Sequence, residues 1–499
     1  MTRRARRRGA STALSLVVFT ATSVQAMTLD EALHTALAKN AALAGKIVDV
    51  DVADARTLQA AGLDDFSVNA GATWTHSRGS NVAAQSTPLL PYDSVDVNAS
   101  LTRPLSTGGT VALKLDAPYV RLGSSLVAGA PGDTGPIDAY QPSAQLSLTQ
   151  PLLRGRGYDV ARAPQRQARA QRDVAGWALE EAASELARDV SFAYWELAYQ
   201  SGDHDFRLQA LEAARMQLRA VNAQIDVGKQ PPSASAEVEV SIAQREDEAI
   251  DSESTIVERA SELARLLGTD RATVLVTLRA TDAPAIYAPP DTDLVARALD
   301  RNAQIASLRA QATATTIDVD VAKSALSPQL DAFVSGGPRG VATDPSPALR
   351  SLATLGAYTV QAGLVFQEPI ERRTQRGARD AATGLVAKAR FTEADARTSV
   401  ASSASIAITE LASTRRRIEV LERAVKVAQL DVESEEARFQ ANRSTSFDVL
   451  RRQQALTDVR IRLLRAAVDN AKAASTIDAL TDDILLRHGL AVRGTRGAS

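Results

Sequence analysis

The chain has 499 residues, 45% hydrophobic but only 4% aromatic, with 57 basic against 59 acidic side chains and no cysteine. The charge balance offers no nucleic-acid surface, and the missing cysteine excludes disulfides and a lipid-anchoring thiol. Ala-rich composition with Glu, Arg, Gln and Leu favours long, closely packed helices, and the length suggests two or more domains.

The N-terminus has the layout of a secretory signal over residues 1–26. Arg3, Arg4, Arg6, Arg7 and Arg8 form a basic segment, Ala13 to Thr22 a short apolar one, and Val24-Gln25-Ala26 a cleavage site. Removing it leaves a net charge of roughly −7. No later stretch approaches the ~20 apolar residues of a membrane-spanning helix.

A helical segment over 29–62 leads into short stretches of period two. Val68, Ala70, Ala72 and Trp74 alternate with small polar residues. So do Val95, Val97, Ala99 and Leu101, then Val111, Leu113 and Leu115, then Ala144, Leu146 and Leu148. A helical pattern runs from about Gln165 to Val227, breaks at "VGKQPPSASAEV" (227–238), and returns to Leu267-Gly268. A loop with Pro284, Pro289 and Pro290 follows.

The pattern resumes near Asp293. Leu330, Ala332 and Val334 form a weaker strand, because Phe333 shares the other face, and Tyr358 to Phe366 alternate clearly. Gly-, Ser- and Pro-rich loops are expected over 79–93 and 336–356. A second long helix spans about 375–440, breaks at "ANRSTSFDVL" (441–450), and returns to about Leu486. Each long helix would reach on the order of 90–100 Å. Leu411, Ile418, Val425 and Val432 repeat every seven residues, a seam for antiparallel helical partners.

The chain also repeats itself. "ALAKNAAL" (36–43) resembles "ALDRNAQI" (298–305), and each precedes strands and a long helical hairpin. The expected division is a first repeat over 27–267 (strands about 67–149, hairpin 165–267), a connecting loop over 268–292, a second repeat over 293–486 (strands about 329–366, hairpin 375–486), and a tail over 487–499. Strands apolar on one face and polar on the other suit a transmembrane barrel with a wet lumen. Alternation alone also fits a half-buried sheet.

No catalytic or cofactor motif emerges. His34, His76, His204 and His488 are scattered without metal-ligand spacing, and there is no phosphate loop or dinucleotide fingerprint. The expectation is a non-enzyme without cofactor or metal. "GDHDF" (202–206) reads as a solvated helix break. Arg415–Arg417 and Glu433–Glu436 read as solvated helix faces, and Trp195 with Tyr199 as helix packing.

Three stretches, "LDEALHTALAKNAAL" (29–43), "LSLTQPLLRGRG" (146–157) and "FQANRSTSFDVLRRQQALTDVRIRLL" (439–464), together resemble the TolC-like outer-membrane efflux protein family across nearly the whole mature chain. The resemblance implies a mainly α fold with a β-barrel part: long antiparallel helices form a periplasmic tube joined to a transmembrane barrel shared by a homotrimer. It implies an outer-membrane exit duct of a tripartite efflux pump or type I secretion system. Its partners would be the lipid bilayer, a periplasmic adaptor (membrane fusion) protein and an inner-membrane transporter, with no nucleic acid. The contrasting reading is a non-conducting coiled-coil scaffold or surface stalk.

Backbone pairing independently requires several chains, since a barrel in lipid must close and one chain has too few strands. Twelve strands per trimer are favoured, with the 94–117 hairpin outside the membrane; eighteen follow if it enters the wall. By resemblance, both helical turns meet at the periplasmic mouth. The gate or adaptor-contact residues are Gly228 and Lys229 in the first turn and Asn442, Arg443, Asp448 and Arg451 in the second. Asp448 matches a position that in relatives contributes to an acidic constriction, and Arg451 could pair with it. Asn442 stands where the family usually has Gly, and Lys229 with Pro231-Pro232 where many relatives have Asp-Val.

Overall fold

The computed structural model describes residues 27–77, 92–122, 137–272, 274, 284–288, 293–441 and 443–490. The signal-peptide expectation, most of the 79–93 loop, Pro289, Pro290, Asn442 and residues 491–499 lie outside them. Contacts divide the chain into two units. One comprises the described residues within 1–39, 189–288 and 412–472, and the other those within 40–188, 289–411 and 473–499. Each unit therefore draws on both halves of the sequence.

The second unit holds the sheet. Its strands are β1 (Ser67–Ser77), β2 (Tyr92–Pro104), β3 (Thr110–Leu122), β4 (Ile137–Tyr140), β5 (Ser143–Pro151), β6 (Gln329–Pro338) and β7 (Tyr358–Gln367). The order is β1-β2-β3-β5-β6-β7, every pairing antiparallel, with the short β4 on β3. Register carries one apolar face across the whole path. Ala72 pairs with Val97, Val97 with Ala117, Leu113 with Leu146, Leu148 with Val334, and Val334 with Ala362. Val68, Val97, Leu115, Leu146, Val334 and Leu364 on this face are all exposed. The opposite face is polar: Thr73 pairs with Asp96, Asp116 with Ser143, and the amide of Gln145 donates to the Ser335 hydroxyl at 3.1 Å. Phe333 intrudes there because it covers Gly363, whose missing Cβ would lie 2.7 Å from the ring.

Helices enter and leave this sheet in duplicate. In the first half α1 (Leu29–Lys39) and α2 (Ala41–Ala61) precede β1, and the short α3 (Tyr158–Ala161) and α4 (Ala163–Asp226) follow β5. In the second half α6 (Leu294–Arg301) and α7 (Ala303–Ser324) precede β6, and α9 (Arg373–Gln440) follows β7. Asn40 caps α2 by accepting from the Ala42 and Leu43 amides, and Asn302 caps α7 by accepting from Ile305. Small side chains let the helices approach: Ala298, Ile305, Val400 and Ala404 form one buried cluster of this unit. Arg172 of α4 pairs with Asp54 of α2 at 3.1 Å, and Arg309 of α7 reaches Glu393 of α9 at 3.4 Å.

In the first unit α4 turns into α5 (Ser233–Leu267), and α9 into α10 (Ser446–Leu480). At 64 and 68 residues, α4 and α9 would each measure about 100 Å. Leu411, Thr414 and Ile418 of the heptad seam are buried. Asn470 of α10 is fully buried; it donates to the Thr414 hydroxyl at 3.1 Å and accepts from the Tyr287 amide at 2.7 Å. That side chain fixes the 284–288 segment against two helices.

Several expectations need correction. The short β4 on β3 is an addition to the expected strands, and the β2–β3 hairpin, whose place in or out of the membrane the sequence left open, lies within the sheet between β1 and β5. The 336–356 stretch is not all loop: β6 continues to Pro338, and α8 (Pro345–Ala353) starts with Pro at its first turn, where the missing amide costs nothing. Residues 202–206 stay inside α4. Gly202 serves close packing, since a Cβ there would meet Leu464 at 2.6 Å. The return helix α10 stops at Leu480, Asp482 turns left-handed (φ 56°), and α11 (Asp483–Arg487) follows. Glu435 is buried rather than solvated, held by Ser444 and by Arg438 at 3.3 Å.

Candidate functional site

The two helical turns use the same closing hydrogen bond. At the end of α4 the Lys229 amide donates to the Gln224 carbonyl at 2.9 Å, and the Gly228 amide to Ile225 at 2.8 Å. Gly228 has φ +74°, so this is a Schellman termination in which glycine supplies the left-handed residue. Nothing lies within 4 Å of a Cβ built there, so only the backbone angle calls for glycine. Pro231 and Pro232 then start α5, and the Ala234 amide donates to the Pro231 carbonyl at 3.0 Å. At the end of α9 the Arg443 amide reaches five residues back to Arg438 at 2.8 Å, as Lys229 does to Gln224.

The second turn then starts α10 through Thr445 and Asp448. The Asp448 amide donates to the Thr445 hydroxyl at 3.2 Å, and that hydroxyl donates to the Asp448 carboxylate at 2.7 Å. The hydroxyl, followed by the Thr445 backbone, Arg452 and Arg451, holds the Asp448 carboxyl below its ordinary pKa. Among the described residues no ion pair joins Asp448 to Arg451. The neighbouring Arg452 pairs with Asp431 of α9 at 3.1 Å, and Gln453 donates to Glu436 at 3.0 Å. The turn is thus zipped across its two helices, while Arg451 is exposed.

One apolar cluster brings the turns together. Ala214 and Val221 of α4, Val238 of α5, Phe439 of α9, and Val449 and Leu450 of α10 are buried against each other. Of the six residues anticipated from sequence, five (Gly228, Lys229, Arg443, Asp448 and Arg451) therefore gather at one end of this unit, and Asn442 lies outside the described residues.

Beside the turns, α5 and α10 leave a groove of about 860 Å³, lined by Val240, Arg245, Glu248, Phe447, Arg451 and Asp458 among others. Arg245 is 4% exposed. Its Nη2 donates to the Leu450 carbonyl at 3.5 Å, its Nε to the Ser241 hydroxyl at 3.4 Å, and its Nη1 has no protein partner. Burial lowers its pKa against the opposing pull of Glu248 and Asp458. Farther along, Glu196 of α4 meets Arg465 at 2.9 Å and also Lys472. Burial would raise the Glu196 pKa, but the two cations outweigh it and hold it low. Neither cluster was foreseen, because each depends on which helix faces which. His204 bonds the Ser252 hydroxyl of α5 at 2.7 Å, which assigns it to helix packing. No group of metal-ligating side chains occurs among the described residues, and no described helix is long and apolar enough to cross a membrane.

The family model described as outer membrane efflux protein matches residues 112–269 and 294–481, two segments that together exceed half of the chain. Among solved structures, the outer-membrane channel OprN is similar over 91% of this chain and 90% of its own, with a TM-score of 0.67 at 15% identity. The outer membrane channel CmeC of Campylobacter jejuni is similar over 97% and 94%, with a TM-score of 0.65 at 13% identity. The outer membrane protein VceC of Vibrio cholerae is similar over 91% and 96%, with a TM-score of 0.64 at 16% identity. At such identities the structural likeness establishes the fold. No match was found among curated protein sequences.

Proposed function

The chain belongs to the outer membrane efflux protein family, and we propose that it is the passive, trimeric exit duct of a tripartite efflux pump or type I secretion system. The fold is that of outer-membrane efflux channels, and the outer membrane is its location. The observation that carries the duct reading is the sheet: one continuous apolar face, one polar face, and two open edges. Val97, Leu115 and Leu146 are exposed on the first face, while Asp96, Asn98, Lys114 and Asp116 occupy the second. Lipid against the first face and water against the second would satisfy both. The open edges β1 and β7 can close in hydrocarbon only against other copies.

In this reading the two repeats, 27–267 and 293–486, each supply strands and a helical hairpin, and 268–292 connects them. The turns around Gly228, Lys229, Asn442, Arg443, Asp448 and Arg451 form the periplasmic gate and meet a periplasmic adaptor. An inner-membrane transporter supplies the energy.

Single-channel recording in planar bilayers tests this. The purified chain is expected to form discrete conducting events and to run as a trimer in detergent. Trimers that insert without conducting would instead make it a scaffold, and a stable monodisperse monomer would remove the barrel.

A further inference from the structure

We propose that the β2–β3 hairpin lies in the membrane wall, so that three copies close an eighteen-stranded barrel in which β7 of one copy pairs antiparallel with β1 of the next. The inference rests on the trimeric outer-membrane reading above and adds the strand count and bore.

Three observations carry it. The first is continuity. Register runs unbroken from Ser67–Ser77 against Tyr92–Thr102, from Tyr92–Pro104 against Thr110–Leu122, and from Thr110–Asp116 against Ser143–Thr149. β1 does not touch β5 in the strand order, so a wall without the hairpin would be split. The second is facing. Val97, Leu101, Leu113 and Leu115 are exposed and share the face of Val68 and Leu146. Asn98 and Lys114 share the opposite face with Gly71 and Gln145. A hairpin standing in water would have no reason to keep four large apolar side chains in that plane.

The third is height. The hairpin turn is anchored where the sheet gives way to helix. The Gly157 amide, just before α3, donates to the Thr107 carbonyl at 3.2 Å, and the Thr107 hydroxyl donates to Gln150 at 2.7 Å. A Cβ on Gly108 would lie 2.3 Å from the Gly155 carbonyl oxygen. From that level β2 and β3 each run 13 residues, against 11 for β1 and 10 for β7. The hairpin therefore spans the full sheet, near the 9–11 residues that a tilted strand needs to cross a bilayer.

The edges permit closure. Direction alternates along the six-strand path, so β1 and β7 are antiparallel and a copy can add head to tail. At a strand spacing of about 4.8 Å and a tilt of about 40°, eighteen strands give a backbone diameter of roughly 36 Å, against roughly 24 Å for twelve. A bore of that size holds an aqueous channel, so the barrel sets little size limit on cargo and the selective constriction falls to the helical turns.

The chain has no cysteine, so single cysteines report without background. Val97→Cys, Asn98→Cys, Leu113→Cys and Lys114→Cys would be made in the full chain, with Ala72→Cys and Thr73→Cys in β1 as references. Each would be reconstituted in phosphatidylcholine vesicles and treated with a membrane-impermeant maleimide, and native mass spectrometry would count the copies. The expected result is three copies, with labelling at Asn98→Cys and Lys114→Cys about tenfold faster than at Val97→Cys and Leu113→Cys. Alternation at the β1 pair with uniform labelling of the hairpin would overturn the eighteen-stranded wall and leave the duct reading intact. Uniform labelling at all six positions, or another copy number, would overturn both.

Discussion

Asn40 and Asn302 occupy the same place in two copies of one structural unit. Each caps the helix that leads toward a strand, with φ/ψ of −68°/120° and −60°/124°. Asn40 accepts from the Ala42 and Leu43 amides and Asn302 from the Ile305 amide; Asn302 is buried, and its own amide donates to the Leu480 carbonyl at 3.2 Å. Asn40→Ala should cost about 1 kcal/mol, the ordinary value of a lost cap, and Asn302→Ala about 2 kcal/mol. Thermal unfolding of the two variants measures this, and a loss at Asn302 no larger than an ordinary cap would mean that its burial and the Leu480 contact add nothing.

That duplication was legible because capping is local. An Asn before an apolar helix is visible without knowing what the helix packs against. The strands were legible for a similar reason, since period two at Val68–Trp74 or Tyr358–Phe366 survives in the chain alone. What escaped depends on pairing. Nothing near Val95–Leu115 says which strands flank it, so its place in the wall needed register. Arg245 and Glu196 look like ordinary solvated helix residues until α5 meets α10 and α4 meets Lys472. Gly202 looked like a helix breaker because its partner, Leu464, lies far away in sequence. The turns were found in sequence, but the ion pair of Arg452 with Asp431 was not.

Gly228 should tolerate little. Its φ of +74° is costly for any side chain with a Cβ, although open space surrounds it. Gly228→Ala is expected to lower stability by about 1 kcal/mol, and Gly228→Asn by less, because Asn accepts left-handed angles more readily. Denaturant midpoints give the comparison. An Ala variant as stable as the parent would place the turn in another conformation in solution.

The two faces of β1 predict opposite outcomes at adjacent positions. Ala72 shares the apolar face with Val97, and Thr73 shares the polar face with Asp96. Ala72→Asp should impair membrane insertion, since a charge on the lipid face costs on the order of 2 kcal/mol near the midplane, while Thr73→Asp should insert normally. The fraction of chain recovered in the outer membrane reads the difference. Equal recovery would contradict the facing of the sheet.

At the second turn, Asp448 serves its helix through Thr445, and its lowered pKa keeps it ionised at neutral pH. Three copies at a narrow mouth would attract cations. Asp448→Asn should therefore reduce cation selectivity and divalent block while trimers persist, with a modest fall in Tm from the weakened helix start. Bilayer recordings beside thermal melts separate the two effects. Unchanged selectivity with a lower Tm would confine Asp448 to the helix start and move the constriction elsewhere, with Lys229 the next position to test.

Asp478 near the end of α10 is 6% exposed, and burial pushes its carboxyl up to about 6 despite its ion pair with Arg487 at 2.5 Å. Arg297 and His488 also favour its charged form, and Asp483 opposes it. The native carboxyl thus binds its proton more tightly than the unfolded one, whose pKa is near the ordinary 3.8. Between pH 4 and 6 the unfolded state holds fewer protons, so this residue makes stability fall as pH rises. The favourable contribution is complete below the unfolded pKa and is lost as pH passes through about 6, a span of up to about 3 kcal/mol. Asp478→Asn, which keeps the shape without the charge, should flatten that part of the profile and raise Tm more at pH 7.5 than at pH 4.5. Chemical denaturation of both proteins across that range is the measurement. A variant that loses stability equally at both pH values would show that the bond to Arg487, not burial, governs the site.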